Sequence, residues 1–234
     1  MANISNILLT VYSATEKINI DFSSGFRPGL FLFLLVVLAF IPFIVMMLTS
    51  FVKYSVVLTI LKNAIGLQQI PPASVITGLS IILTTYTMQP VAQKMYDSAR
   101  ESFERDNAQL KLDNVPDIIK AFEAAKPPLI EYLRTHTGSR EFQLFTEAAE
   151  SRIEKDSILV FAPAFVITQL KEAFILGFRL FIPFLIIDLL VANLLIALGL
   201  NMLTPVTISL PLKLLIFILA DGWYLITKNL ILHN

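Results

Sequence analysis

The chain has 234 residues, of which 56% are hydrophobic and only 15% charged, and its formal net charge is zero. That balance excludes the basic surface that nucleic acid requires, and a mean hydropathy of +0.72 lies well above that of an ordinary soluble domain. The chain has no cysteine, which rules out a disulfide framework, thiolate chemistry and a cysteine metal site.

In chain order, Met1–Pro28 carries only weak signals. Met1–Thr15 has no basic leader, and its apolar stretch Ile7–Val11 is too short for a secretory signal peptide. Gly29–Val52 exceeds the roughly 20 residues that span a bilayer; it reads as a retained membrane-type helix, with a kink at Pro42. Lys53–Pro72 starts amphipathic and turns at Gly66 and Pro71–Pro72. Lys53 and Lys62 mark a membrane boundary, and the absence of acid around them favours the cytoplasmic side. Ala73–Ala92 is a second apolar run, whose Ser and Thr residues suit contact between helices better than contact with lipid.

Gln93–Asp156 holds most of the charge, with acids in excess. Pro116, Pro127–Pro128 and Gly138 divide it, which predicts three or four short helices with a solvated surface. If Lys53–Gln69 faces the cytoplasm, this insertion is extracytoplasmic. Ser157–Leu198 is apolar for longer than one span needs, and Pro163, Lys171–Glu172, Gly177 and Pro183 predict a short broken helix followed by a longer one. Leu200–Pro205 forms a hairpin tip, and Val206–Thr227 is the last helix, with Pro211 early in it. The fold class is therefore all-α: polytopic membrane-type hairpins with a small helical insertion, divided at 1–28, 29–92, 93–156 and 157–234.

Four charges lie inside the C-terminal apolar runs: Arg179 and Asp188 before the tip, Lys213 and Asp221 after it. An isolated charge in hydrocarbon costs at least ~2.5–3.5 kcal/mol, so such groups face a partner or a wet cavity. Folding back between Leu200 and Asn201 sets Asp188 level with Lys213, each about 18 Å from the tip at ~1.5 Å per residue, and sets Arg179 almost level with Asp221. Arg179 and Asp188 are nine residues apart, on opposite faces of a straight helix. Both pairs therefore cannot share one seam, and at least one charge turns to another segment or subunit unless Pro183 reorients the helix. Arg179 and Asp221, nearer the helix ends, have the alternative of snorkelling to a headgroup. Lys171 and Glu172 are adjacent, do not face each other, and have neighbouring segments as possible partners.

The tip Leu200–Asn201–Met202–Leu203 is apolar apart from Asn201, where a water-facing turn is normally polar. Packing against other copies around an axis explains this, and the flexible Met202 thioether suits an irregular seal; the alternative is a buried turn with no gating role. Catalytic motifs are missing: the chain contains no GxSxG, no HExxH and no GxxxxGK[ST]. The histidines are His136 and His233 alone, too far apart for a transition-metal site. Neither an enzyme nor a cofactor is indicated.

Several segments taken together resemble the export-gate family of bacterial type III secretion, the FliP/SctR type shared by flagella and injectisomes. They are Thr49–Lys53, Lys62–Gly66, Gln68–Pro72, Pro163–Phe165, Ala173–Phe178, Pro183–Leu189, Thr207–Lys213 and Asp221–Trp223. The resemblance implies a multi-pass subunit of the bacterial inner membrane, within the basal body of the secretion system. It also implies a homo-oligomer, with a pentamer the expectation, wound helically with two smaller subunits around a channel for unfolded substrates. The family's methionine-rich gasket falls on Leu200–Met202; this chain keeps one methionine there, so Leu200 and Leu203 share the sealing. Where the family often has Ser-Glu, this chain has Thr168–Gln169, and any ion pair of that glutamate is lost. The Phe51–Lys53 and Gln68–Pro72 spellings look more like injectisome than flagellar members.

The resulting reading is a non-catalytic channel subunit of an injectisome, with flagellar export as the near alternative. A proton- or ion-coupled transporter using Asp188 as carrier is a second class, against which stands the absence of two related halves. An intramembrane hydrolase would have only Asp188 and Asp221 as acids, each with a basic partner.

Overall fold

The computed structural model describes residues 28–67, 70–105, 115–149, 157–200 and 202–232. The expectations for residues 1–27, Asn201 and His233 lie outside them. Among the described residues there are eight helices and no strand: α1 Pro28–Leu48, α2 Phe51–Ile65, α3 Ala73–Arg105, α4 Val115–Thr135, α5 Ser139–Ala148, α6 Ile158–Ala197, α7 Pro205–Leu219 and α8 Gly222–Leu232. Long apolar runs leave the backbone little choice, because a helix satisfies its own polar groups wherever water is absent.

The core forms around α2. Tyr54, Val57, Leu58, Leu61, Ala64 and Ile65 recur at helical spacing and are buried, the stripe that an amphipathic helix presents to its neighbours. They pack against Ala173, Phe184, Ile187, Val191 and Leu195 of α6, with Phe217, Ile226 and Leu230 closing the side. The two helices approach closely at Gly177, where an added Cβ would lie 3.1 Å from Ile60 Cβ. A second cluster joins the insertion to the start of α6: Leu129, Tyr132 and Leu133 meet Phe161 and Phe165, and the Phe142 and Phe161 rings stack at 4.8 Å.

Several boundaries differ from the sequence expectation. The first apolar run is not one helix to Val52; it breaks at Thr49–Ser50 and turns by 71° into α2. Thr49 Oγ1 bonds back to Val45 O there. In the opposite sense, α6 is one continuous helix of 40 residues across Pro163 and Pro183. Each proline removes a single N–H, and in apolar surroundings breaking further bonds would strand more polar groups. The last helix breaks after Leu219 and bends by 62°, at Asp221 with φ 50°. Gly222 follows, packed so closely on the Phe217 ring that a Cβ would collide with it. Helix α3 runs on as one piece from the apolar run into the charged insertion, as far as Arg105.

By length and composition, α3 over Ala73–Phe103 and α6 are each able to cross a membrane, and so are the bent pairs α1–α2 and α7–α8 if each forms one span.

Candidate functional site

The α6–α7 hairpin brings Asp188 and Lys213 together. Lys213 Nζ donates to Asp188 Oδ2 at 2.6 Å and to the main-chain carbonyl of Ala64 at 3.2 Å. Ser209 Oγ donates to the other carboxylate oxygen at 2.5 Å. Ser209 is fully buried, Lys213 is 4% exposed, and the Asp188 side chain is 30% exposed. Ala64 lies in the last turn of α2, where carbonyls lack helical donors and carry the negative end of the helix dipole. One ammonium thus joins three helices, with each of its contacts favoured by charge.

Lys171 and Glu172 diverge as adjacent helical residues must. Glu172 accepts from Lys53 of α2 at 2.8 Å, and the Lys53 side chain is 3% exposed. Lys171 donates to Glu141 of α5 at 2.9 Å. That hydrogen bond, helped by a backbone bond at Glu141, holds the Glu141 carboxyl below its usual carboxylate range. Gly138 N–H donates to Thr168 Oγ1 at 3.0 Å beside this pair, so α5 is fastened to α6 at two points. Gln169 is 1% exposed, and its Oε1 has no hydrogen-bond partner among the described residues.

Arg179 and Asp221 are not brought together. Both are exposed, no ion pair joins them, and Asp221 sits on the α7–α8 turn. The bend after Leu219 removes the straight helix on which their level alignment depended.

The tip begins at Gly199, whose φ of 73° suits a residue without Cβ; Leu200 N–H then bonds to Leu195 O at 2.9 Å. Met202 is wholly exposed, and Leu200 and Leu203 are 44% and 49% exposed. Three apolar side chains therefore stand free at the end of a hairpin. The apolar exposure continues along α1, α6 and α7, at positions such as Phe40, Phe178, Leu190 and Leu215.

Ser209, the Ala64 carbonyl and Glu141 belong to these contacts without having been singled out from sequence. Ser209 had a signal: it lies four residues before Lys213, on the same helical face. Glu141 had none, being 30 residues from Lys171. No group of three or more His, Asp or Glu able to hold a metal occurs among the described residues. A cavity of about 880 Å³ between α1 and α3 is lined by Val45, Ile81, Ile82, Thr85 and neighbours. The Thr85 hydroxyl in it is turned back to Ile81 O at 2.8 Å.

The helical hairpins, the charge pairs between helices and the exposed apolar tip define an all-helical protein with membrane-type segments, and comparison with known proteins gives the family. The FliP family model matches residues 34–230, and the chain belongs to the FliP family. It is 38% identical over 203 residues to the Yop proteins translocation protein R of Yersinia pestis, covering 83% of this chain and 91% of that protein. It is 35% identical over 224 residues to the hypersensitivity response secretion protein HrcR of Ralstonia nicotianae, covering 91% and 97%. With the flagellar biosynthetic protein FliP of Pectobacterium carotovorum it shares 41% over 203 residues, covering 85% and 76%.

Proposed function

We propose that the chain is a core subunit of a bacterial type III protein export gate, acting in an injectisome. Copies of it assemble with two smaller subunits of the same apparatus around a channel that passes unfolded substrates. The carrying observation is the tip: Met202 is wholly exposed, with Leu200 and Leu203 half exposed beside it, and an exposed apolar patch of this kind marks a surface that a partner covers. In this reading the driving energy for export is supplied elsewhere in the apparatus. The reading places the protein in the inner membrane as a multi-pass component, with the α4–α5 insertion on the extracytoplasmic side.

Helix α6 constrains how the chain meets a bilayer. Its 40 residues extend about 60 Å at ~1.5 Å per residue, about twice the ~30 Å hydrocarbon core. An upright α6 lodged wholly in lipid would leave apolar residues in water at one end. Sister subunits that cover the protruding half resolve this, so much of the exposed apolar surface is protein-facing in the assembly.

The test is purification of the tagged chain from its host after cross-linking, with electron microscopy and a secretion assay on a deletion strain. A ring-like or helical complex and lost secretion are expected. A stable monomer, with secretion intact in the deletion strain, would refute the reading and favour a transporter. Loss of motility with secretion of other substrates intact would move the role to flagellar export.

A further inference from the structure

Two serines hold the same position on two helices and behave differently. Ser157, at the N-cap of α6, has φ −81° and ψ 145°, and its hydroxyl accepts Leu159 N–H at 3.2 Å. This is the ordinary use of an N-cap serine, with extended backbone and the side chain satisfying a free helical donor. Ser50, at the N-cap of α2, has φ −68° and ψ 5°, and its side chain caps nothing. Its hydroxyl instead meets the Tyr132 hydroxyl of α4 at 2.6 Å, across 82 residues of sequence. Ser50 is fully buried and Tyr132 is 7% exposed.

Ser50 also lies at the 71° bend between α1 and α2. Helix α1 exposes Leu35, Val36, Leu38, Phe40 and Phe43; apart from its packing on α6 and Leu48 on the second cluster, its direction is set at the bend. That direction follows from the backbone angles at Thr49–Ser50. Moving Ser50 ψ from near 0° to the extended value seen at Ser157 would let its hydroxyl cap α2, taking over from Thr49 Oγ1, which the Phe51 N–H reaches only at 3.4 Å, and would swing α1 to a new angle. The hydroxyl has acceptor capacity for an N–H as well as for Tyr132, but the rotation that caps α2 would carry it away from Tyr132. Each arrangement satisfies it, and a hydroxyl pair is individually modest in net stability, so neither state is locked.

We propose that Ser50 and Tyr132 form a latch by which the α4–α5 insertion sets the angle between α1 and α2, with capping of α2 by Ser50 as the released state. Its companions keep the site polar: the Tyr54 hydroxyl has Ser50 and Thr87 as neighbours and reaches Leu230 O at 3.5 Å. A change in the insertion, such as contact with another component, would thereby be passed to α1 through a single backbone rotation.

The chain has no native cysteine, so spin labels at Leu38→Cys on α1 and Glu131→Cys on α4 report this angle directly. The full chain is measured in nanodiscs by pulsed electron spin resonance. The unaltered protein should give one dominant distance, with any second distance a small minority. Tyr132→Phe, which keeps the ring and removes the hydroxyl, should add a second, discrete distance holding at least a tenfold larger share than before. Adding Ser50→Ala to Tyr132→Phe should shrink that second population, because the capping gain is gone; a merely structural role of the pair predicts the reverse. Ser50→Asn, a strong N-cap without a hydroxyl, should give the second distance by itself, and it decides the matter if Tyr132→Phe fails to fold. An unchanged single distance in folded Tyr132→Phe, or in Ser50→Asn where the tyrosine variant does not fold, overturns the proposal. So does a double variant with more of the second state than Tyr132→Phe alone.

Discussion

Asp188 and Lys213 form a 2.6 Å ion pair that is also a junction, because the Lys213 ammonium continues to the Ala64 carbonyl at the end of α2. Losing the carboxylate leaves a buried cation with one neutral acceptor. Losing the lysine leaves a carboxylate with Ser209 alone and an unmet carbonyl. Asp188→Ala should therefore destabilise the chain by about 3–5 kcal/mol, the usual cost of stranding a buried charge. Replacing both groups, Asp188→Leu with Lys213→Met, should cost much less than either single change. Denaturant unfolding in detergent measures both. A loss in the double variant equal to the sum of the two single losses would show that the two groups act separately.

The exchange Asp188→Lys with Lys213→Asp should recover only part of what either single reversal loses. It restores the Coulomb attraction, but it places a carboxylate against the Ala64 carbonyl and the negative end of the α2 dipole. Secretion and cross-linked oligomer yield should both fall between those of the unaltered chain and of Asp188→Lys. Full recovery would mean that the Ala64 contact contributes nothing.

The Glu141–Lys171 pair predicts a pH dependence with a definite sign. The folded-state carboxyl lies below its ordinary value of 4.5, so the folded form binds its proton less readily than the unfolded chain. Its contribution is complete above that ordinary value and is lost as pH falls through the lower, folded one. Thermal unfolding should then show a loss of stability on acidification below about pH 4.5 that is shallower in Glu141→Gln and in Lys171→Met. An identical acid slope in all three proteins would remove the pair from the stability of the insertion.

Much of the helical content was legible because apolar runs of this length have one good backbone solution. The facing of Asp188 and Lys213 follows from counting back from the tip along two helices that are unbroken up to those residues. The breaks were not legible, for reasons that lie in tertiary contacts. Thr49–Ser50 has neither Gly nor Pro to announce a turn, and the partner of Ser50 is on α4. Pro163 and Pro183 announce interruptions that do not occur, since a proline removes one donor and the packed neighbours of α6 hold the rest. At Asp221 the turn is carried by a non-glycine residue with positive φ, a conformation that aspartate tolerates but does not signal. That turn is also why Arg179 and Asp221 part, although residue counting sets them level.

Gly222 tests the origin of that turn. A Cβ there meets the Phe217 ring, which is buried and held edge-on by Trp223 at 5.5 Å. Gly222→Ala should cost about 1–3 kcal/mol, as overpacking of a filled site does. Gly222→Ala with Phe217→Leu should recover part of it by making room. If Gly222→Ala is neutral, the α7–α8 bend is set by Asp221 alone.

The tip separates function from folding. Met202 is wholly exposed and Leu203 is half exposed, so Met202→Gly with Leu203→Gly should leave the unfolding free energy of the isolated chain within about 0.5 kcal/mol of unaltered, as exposed substitutions usually do. If the tip closes a channel between copies, as proposed, the same change removes two of its three apolar side chains and leaves Leu200 alone. Glycine supplies neither bulk nor a fixed backbone, so a seal of this kind should fail open. Planar-bilayer recordings or an ion-flux assay on cells carrying the variant should show a leak absent from the unaltered gate. Equal conductance in the two would place the constriction elsewhere along the conduit while leaving the buried Asp188–Lys213 junction untouched.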